Sequence, residues 1–166
     1  ERLKGDIPQL TIVFISSKFH REYEEIIRKL KMDVGGEIFG GSTAGEISPE
    51  GFKKDSIVCL SIIAPSTIFK AKVVHEFSEN LKEMGKTAVK RAFEGLKIVF
   101  DLYDLYFRDM GTLKAIQSLP FHMLVMMSGL GGEEDILSGV AESSLNKIQA
   151  AGGSAGDDLK LEKTWV

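Results

Sequence analysis

The sequence predicts an α/β fold in which helices pack on a mixed β-sheet built from two related halves. Two nearly continuous apolar runs, residues 10–16 and residues 122–128, are typical of strands buried on both faces. Each run is followed by a helical pattern, a short second strand and a glycine-rich segment. The same order of elements therefore occurs twice, which predicts a pseudo-duplicated domain.

The two glycine-rich segments have related sequences. The first glycine segment, residues 40–46, reads GGSTAGE, and the second glycine segment, residues 152–157, reads GGSAGD. Both segments also lie at the same distance behind the apolar run of their own half. We expect pseudo-repeats over about residues 10–47 and 122–158, each ending in a glycine-rich turn.

The first half reads as a strand-helix-strand unit. After the strand at residues 10–16, Ser17 is in position to cap a helix over residues 20–32, whose apolar side chains recur at helical spacing. Residues 37–39 form a short second strand. Because a helix connects the strands, we expect them to be parallel and joined by a right-handed crossover.

The middle of the chain predicts two antiparallel strands and a long helix. Residues 57–63 form an apolar strand, in which Cys59 is expected to be a buried, unreactive thiol. Residues 67–75 alternate between apolar and polar side chains and are expected to be its antiparallel neighbour. Ser78 is expected to cap a helix that extends to Phe93.

The most aromatic segment, residues 97–107, fits both a helix and a strand, and its apolar spacing favours the helix. It has no counterpart in the first half, so an insertion that covers a cleft or forms a dimer contact is an alternative to core packing. Residues 111–119 predict one more short helix. The second half then reads as a strand, a helix that begins near Glu133, and a short strand at residues 148–151.

Composition restricts the function classes. The chain has 166 residues, a net charge of −3, 43% apolar and 27% charged residues, which fits one domain over residues 1–166 without a basic surface for nucleic acid or an acidic membrane. One cysteine excludes an internal disulfide. No apolar stretch approaches the roughly 20 residues of a membrane span, and no signal-peptide pattern is present, so we expect a cytoplasmic protein. The ending Thr164-Trp165-Val166 reads like the start of a strand, so we expect a piece of a longer protein.

The glycine segments are the candidate ligand site. Backbone N–H groups in such segments can hold a carboxylate, hydroxyls can donate and accept, and acidic side chains can receive an ammonium. We therefore expect a site for a zwitterion such as an amino acid, without catalysis. The alternative is that the glycines only make tight turns where the two halves pack together. The predicted ligand-binding residues are Ser42, Thr43, Gly45, Glu46, Ser154, Gly156 and Asp157.

Other chemistries have weaker support from the residues. Residues 152–156 match the G-x-S-x-G pattern of serine nucleophiles, but no convincing helix follows and every histidine lies upstream, so we expect no enzyme. Residues 128–132 precede a helix as a phosphate loop would, but they lack a lysine and three acidic residues follow. No metal-ligand spacing exists, and none of His20, His75 and His122 is singled out as a haem ligand.

The glycine segments and their surroundings resemble the FIST N-terminal domain. The likeness rests on the first glycine segment followed by Gly51 and residues 55–58, on the second followed by Asp158 and Thr164, and on the end of the opening strand. It covers nearly the whole chain and is least typical over residues 97–118. This family usually continues into a C-terminal FIST domain, which we expect to be absent from the sequence.

The resemblance implies a sensory domain of signal-transduction proteins that binds small ligands such as amino acids and acts on a signalling output domain or protein. Some members of the family bind haem and respond to nitric oxide, so a haem sensor is the first alternative. Eukaryotic relatives accompany an F-box in ubiquitin-ligase adaptors, so a ligand-free interaction module is the second alternative.

Overall fold

The chain folds as a mixed α/β structure, as predicted. A computed structural model describes residues 5–75, 80–95, 122–129, 131–144, 148–158, 160 and 164–166. The described helices are α1 (Tyr23–Val34), α2 (Leu81–Ala92) and α3 (Glu133–Ser143). The described strands are β1 (Leu10–Ser16), β2 (Glu37–Thr43), β3 (Glu46–Ser48), β4 (Gly51–Lys53), β5 (Ile57–Ile62), β6 (His122–Met127) and β7 (Gln149–Ser154). The elements predicted at residues 97–107 and 111–119 lie outside the described residues.

Three strands form the largest described sheet, in the order β2-β1-β5. β1 pairs with β2 in parallel, from Leu10 opposite Glu37 to Ser16 opposite Thr43. β1 pairs with β5 in antiparallel orientation. This combination confirms the predicted mixed sheet, and the parallel pair confirms the first strand-helix-strand unit. Two further described sheets contain two strands each, β3-β4 and β6-β7.

Helix α1 packs on the face of β1 that carries Val13 and Ile15, and Tyr23 completes this buried cluster. The partly buried hydrophobic residues around it are Phe19, Ile26, Ile27, Leu30 and Ile38. The apolar side chains of α1 recur at helical spacing, so that one face of the helix meets the sheet. Gly35, with a φ of 76°, ends the helix because glycine adopts this conformation without strain.

The prediction that Ser17 caps the first helix is wrong. Residues Ser17–Phe19 form a short 3-10 turn, and the Oγ of Ser16 caps it by accepting a hydrogen bond from the Lys18 backbone N–H at 3.3 Å. The Ser17 Oγ is buried and has no hydrogen-bond partner. Helix α1 begins only at Tyr23, after this turn.

Both glycine segments begin as strands, so the prediction that they are turns throughout is wrong. β2 includes Gly40, and β7 includes Gly152. A Cβ atom on Gly40 would lie 1.8 Å from the Val13 carbonyl oxygen, and a Cβ atom on Gly152 would lie 1.8 Å from the Val125 carbonyl oxygen. Glycine therefore serves these strands by permitting close backbone approach.

β5 lies at an edge of the described sheet, and two predictions fail there. Cys59 is exposed, because β5 has a described partner on one side only. Partial desolvation raises the pKa of its thiol, which disfavours reactivity. Residues 67–75 form no strand. The Val73 carbonyl oxygen accepts a hydrogen bond from Nη1 of Arg91 at 3.1 Å, where a strand would pair its carbonyl oxygens with a neighbouring strand.

The chain divides into two compact units. Unit 1 comprises Glu1–Ala71, Met126–Gly131 and Gly153–Val166, and unit 2 comprises Lys72–Val125 and Gly132–Gly152. The single domain with two pseudo-repeats stays a prediction. Of the helices in the described part of the chain, none has the length and apolar character that a membrane crossing requires.

Helices α2 and α3 pack against each other in unit 2. The Oδ1 of Asn80 caps α2 by accepting a hydrogen bond from the Glu83 backbone N–H at 3.2 Å, a role that the sequence had assigned to Ser78. The helices approach closely, since a Cβ on Gly139 would lie 1.9 Å from the Lys82 carbonyl oxygen. One buried core cluster of the described part of this unit consists of Val89, Val140 and Ile148.

Candidate functional site

The two glycine segments meet within unit 1. The backbone N–H of Gly156 donates a hydrogen bond to the carbonyl oxygen of Ser42 at 2.8 Å. A Cβ on Gly156 would lie 3.2 Å from the Ala44 backbone nitrogen, which shows how closely the segments approach. All seven sequence-predicted site residues belong to this unit. The structure therefore places residues from distant parts of the chain beside one another.

Ser42 is the link between the segments. It is 1% exposed. Its backbone N–H donates to the Trp165 carbonyl oxygen at 2.8 Å, and its Oγ accepts from the Trp165 backbone N–H at 3.0 Å. Its carbonyl oxygen is taken by Gly156, so its backbone polar groups and its hydroxyl all hold neighbouring chain in place. In the described conformation Ser42 is a structural residue of the site.

Glu46 is a buried carboxylate that lies where β3 begins. It is 2% exposed, and it accepts at both oxygens as an ionised carboxylate does. Oε1 accepts from Oγ1 of Thr43 at 2.6 Å. Oε2 accepts from Oγ of Ser56 at 2.6 Å and from the Ser56 backbone N–H at 3.3 Å. Thr43 and Ser56 therefore fix the position of the carboxylate.

The cation nearest to Glu46 in the strand register has another partner. Lys53 lies opposite Glu46 in the β3-β4 hairpin, but its Nζ forms an ion pair with Glu50 at 3.1 Å. The partners that the described residues give to Glu46 are neutral hydroxyl and amide groups. Gly45, directly before Glu46, makes room for the Phe52 ring, because a Cβ there would lie 2.4 Å from Cε2 of Phe52.

Tyr23 and Trp165 add aromatic surface to the site. The Tyr23 hydroxyl donates to the Ser16 carbonyl oxygen at 3.1 Å. Burial, and secondarily the negative charge of Glu46, raise the pKa of Tyr23 to about 12. The rings of Tyr23 and Trp165 meet edge to face, with centroids 5.7 Å apart. This arrangement brings the buried helix residue, the acid and the only tryptophan of the chain into one region.

The second glycine segment contributes one buried acid and one exposed hydroxyl. Asp157 is 6% exposed, whereas Ser154, at the end of β7, is exposed. The backbone N–H of Ala155 donates to the Met127 carbonyl oxygen at 2.8 Å, which anchors this segment to the last residue of β6. Asp158 has a φ of 62°, a conformation that aspartate tolerates better than most residues.

Sequence reasoning missed Tyr23, Ser56 and Trp165 as residues of this region. The sequence places Tyr23 on the apolar face of the first helix, and Ser56 among residues 55–58, which carry part of the family resemblance. Their hydrogen bonds depend on how β1 and β5 pair, which no local pattern reveals. The place of Ser56 in the resemblance is therefore the signal that the sequence offers for it.

The described residues contain no cluster of metal-ligating side chains, and their histidines are exposed. Among residues 5–75, 80–95, 122–129, 131–144, 148–158, 160 and 164–166, no group of three histidine, cysteine or acidic side chains could hold a metal ion. His20, His75 and His122 are all exposed, and Nδ1 of His20 lies 3.2 Å from the Ser17 carbonyl oxygen. Haem is usually held by an axial side chain within an enclosed pocket, which an exposed histidine does not provide.

The comparisons with known proteins identify the family. The family model described as the FIST N domain matches residues 9–166. No curated protein and no solved structure gives a significant match. The match covers both glycine segments, β1, α1 and the residues around Glu46 and Trp165. The chain therefore belongs to the FIST N domain family of sensory domains in signal transduction.

Proposed function

We propose that this domain senses a small amino-acid-like ligand at the junction of its two glycine segments. The observation that carries the proposal is the burial of Glu46 among neutral partners. Buried carboxylates are normally paired with a cation, because an isolated charge away from water is costly. An ammonium group on a ligand would supply that positive charge.

Each site residue would have its own role in binding the ligand. Glu46 would receive the ammonium, and Thr43 would orient it. Gly45 and Gly156 would keep the backbone close enough for contact. Ser154 would offer a hydroxyl to the ligand carboxylate, while Asp157 adds a second buried acid that favours a ligand with a positive end. Ser42 would hold the two segments together.

Sensing would require a second conformation of the protein that the ligand binds more tightly and so stabilises. Trp165 is 38% exposed, and its backbone bonds directly to Ser42. A ligand beside the first glycine segment would therefore alter the packing of Trp165, and its differential affinity would set the size of the shift. No bond in the ligand need break, so the proposal involves no catalysis. Its output would pass to a signalling domain or protein in the cytoplasm, without nucleic acid or membrane.

A thermal-shift panel on the full chain tests the proposal. The panel contains the amino acids, nucleotides, divalent metal ions and hemin. We expect at least one free amino acid to raise the melting temperature, since a ligand at a hundred times its Kd stabilises by about 2.7 kcal/mol. No response to any amino acid would contradict the proposal. A Soret band with hemin that disappears in histidine variants would instead favour the haem alternative.

A further inference from the structure

Two hydroxyl groups of unit 1 are buried without hydrogen-bond partners. The Oγ of Ser17 has none, and Ser17 is 8% exposed. The Oγ1 atom of Thr164 is also buried without a partner. Most buried polar groups are hydrogen-bonded, because an unmet donor or acceptor loses its interaction with water. Two such hydroxyls in one compact unit therefore point to something that they bind.

Both hydroxyls lie near the carboxyl ends of β1 and β2. Ser17 directly follows Ser16, which is paired with Thr43 at the end of β2. Thr164 directly precedes Trp165, which is hydrogen-bonded to Ser42. The carboxyl ends of parallel strands are the usual place for ligands in sheets with α/β connections. Ser17 and Thr164 are thus each next in the chain to a residue that pairs or bonds at this end of β1 and β2.

Glu46 supplies the charge at this end of the sheet. The Ser16 backbone N–H donates to the Ser56 carbonyl oxygen at 3.0 Å, and the Ser56 hydroxyl donates to Glu46. Ser56 therefore links the Glu46 carboxylate to Ser16, the last residue of β1. The nearby ion pair of Lys18 and Asp55, at 2.8 Å, is exposed and neutralises itself. Glu46 has no cationic partner among the described residues, so it leaves this end of the sheet with negative charge.

We propose that Ser17 and Thr164 accept hydrogen bonds from the ammonium group of a small primary amine, with Glu46 as its counter-charge. This inference rests on the proposed function and assigns the ammonium end of the ligand to two residues outside the glycine segments. A carboxylate would be repelled by Glu46, so the ligand's anionic end must point away from the ends of β1 and β2. Hydroxyl oxygens and a carboxylate together match the donors of an ammonium group.

The test uses glycine and its two half-molecules as probes. Glycine, methylamine, acetate and potassium chloride are each titrated at matched ionic strength against the full chain. Trp165 fluorescence and melting temperature provide the readouts, and the chain has no other tryptophan. The variants are Ser17→Ala and Thr164→Val, with Thr164→Ser as the variant that retains a hydroxyl. Ser66→Ala, at an exposed loop serine, is the matched control.

We expect methylamine and glycine to shift both readouts and acetate to shift neither. Ser17→Ala and Thr164→Val should each weaken methylamine binding at least tenfold, whereas Thr164→Ser and Ser66→Ala should bind as the wild type does. The free Ser17→Ala protein should melt no lower than wild type, because the lost hydroxyl had no protein partner. This expectation separates loss of binding from loss of folding.

Several results would overturn the inference. A wild type that ignores methylamine, or that responds equally to potassium, has no ammonium site. Variants that bind methylamine like the wild type would mean that the two hydroxyls only hold internal water. Glycine binding that survives Ser17→Ala would leave the proposed function standing without this inference. Methylamine binding without any response to glycine would support the amine site and contradict the proposed function.

Discussion

The backbone N–H of Gly156 donates to the carbonyl oxygen of Ser42 at 2.8 Å, and this bond joins the two glycine segments. Ser42 also binds the backbone of Trp165 through its N–H and its hydroxyl. Gly156 and Trp165, which both lie far from Ser42 in the chain, therefore bond to this one buried serine. Glu46 lies at the end of the loop that follows β2, so the ligand that we propose for this carboxylate would act on a segment already tied to Trp165.

Replacing Ser42 by alanine should loosen Trp165. The change removes the acceptor of the Trp165 backbone N–H, and a typical hydrogen bond contributes about 0.5–1.5 kcal/mol to the free energy of unfolding. We expect a loss in that range by chemical denaturation, together with a red shift of Trp165 fluorescence. Ser66→Ala, at an exposed serine, should change neither. An unshifted emission maximum would mean that the serine hydroxyl does not hold Trp165.

Adjacent glycines at the end of β7 should respond oppositely to alanine. A Cβ on Gly152 would lie 1.8 Å from a backbone oxygen, whereas a Cβ on Gly153 meets nothing within 4 Å. Gly152→Ala should cost at least the upper part of the range of about 1–3 kcal/mol for overpacking. Gly153→Ala should be neutral or stabilise by about 0.4–1 kcal/mol through the unfolded state. Equal denaturation midpoints for the two variants would contradict the described strand.

Tyr23 should make the fold sensitive to alkaline pH. Its pKa rises from 10.0 to about 12, first through burial and then through the charge of Glu46. The folded protein thus holds the phenolic proton more tightly than the unfolded chain does. This contribution to stability is complete below about pH 10 and is lost as pH rises towards 12. Tyr23→Phe should remove that part of the pH dependence of the unfolding midpoint.

The control for this prediction is a spectroscopic titration of the tyrosine side chains in the folded protein. Absorbance of tyrosinate in the folded wild type should include a phenol that ionises well above pH 10, and Tyr23→Phe should delete it. A wild type in which every tyrosine titrates near pH 10 would show that Tyr23 is neither buried nor close to a negative charge.

Glu142 should make unit 2 sensitive to acid. Hydrogen bonds from Lys82 and then from Lys86 lower its pKa from 4.5 to about 2. Its contribution is therefore present above about pH 4.5 and is lost as pH falls towards 2. We expect Glu142→Gln to lower the unfolding midpoint slightly at pH 7 and not at all near pH 2, with salt reducing the difference because the pair is exposed.

Glu134→Gln is the matched control for this acid dependence. Glu134 lies on the same helix and is also exposed, but it has no ion pair with Lys82 or Lys86. Because the ion pairs of Glu142 stay intact in this variant, the loss of stability that they cause between about pH 4.5 and pH 2 should persist. The same pH dependence in wild type and Glu142→Gln would mean that the helices are not joined by this ion pair.

The predictable part of the fold is the part with continuous local patterns. β1, α1 and the parallel β1-β2 pair follow from an apolar run, a helical repeat and a helical connection. The exposure of Cys59 was not predictable, because burial of a strand depends on whether both of its edges are paired. The length of β2 was missed because its two glycines suggested a turn, although Gly40 permits a close backbone approach to Val13.

The sequence predicted residues of the candidate site, but not the hydrogen bonds that hold them. The paired glycine segments pointed to Ser42 and Glu46, which the structure brings into one unit. The hydrogen bonds from Ser56 were not accessible, because they depend on how the chain returns to Glu46 after the β3-β4 hairpin. The contact with Trp165 was not accessible, because it joins residues far apart in the chain. The environment of Ser17 was not predictable either. The sequence predicts that Ser17 caps a helix, whereas the structure leaves its hydroxyl buried without a partner.

The most direct test of a ligand sensor is a melting experiment with a mixture of the twenty amino acids, on wild type and on Glu46→Gln. Glutamine keeps the size of Glu46 and removes the charge that would hold an ammonium. The account predicts a rise in melting temperature for wild type and none for Glu46→Gln, with circular dichroism showing both proteins folded. No rise in wild type, or an equal rise in both proteins, would contradict it.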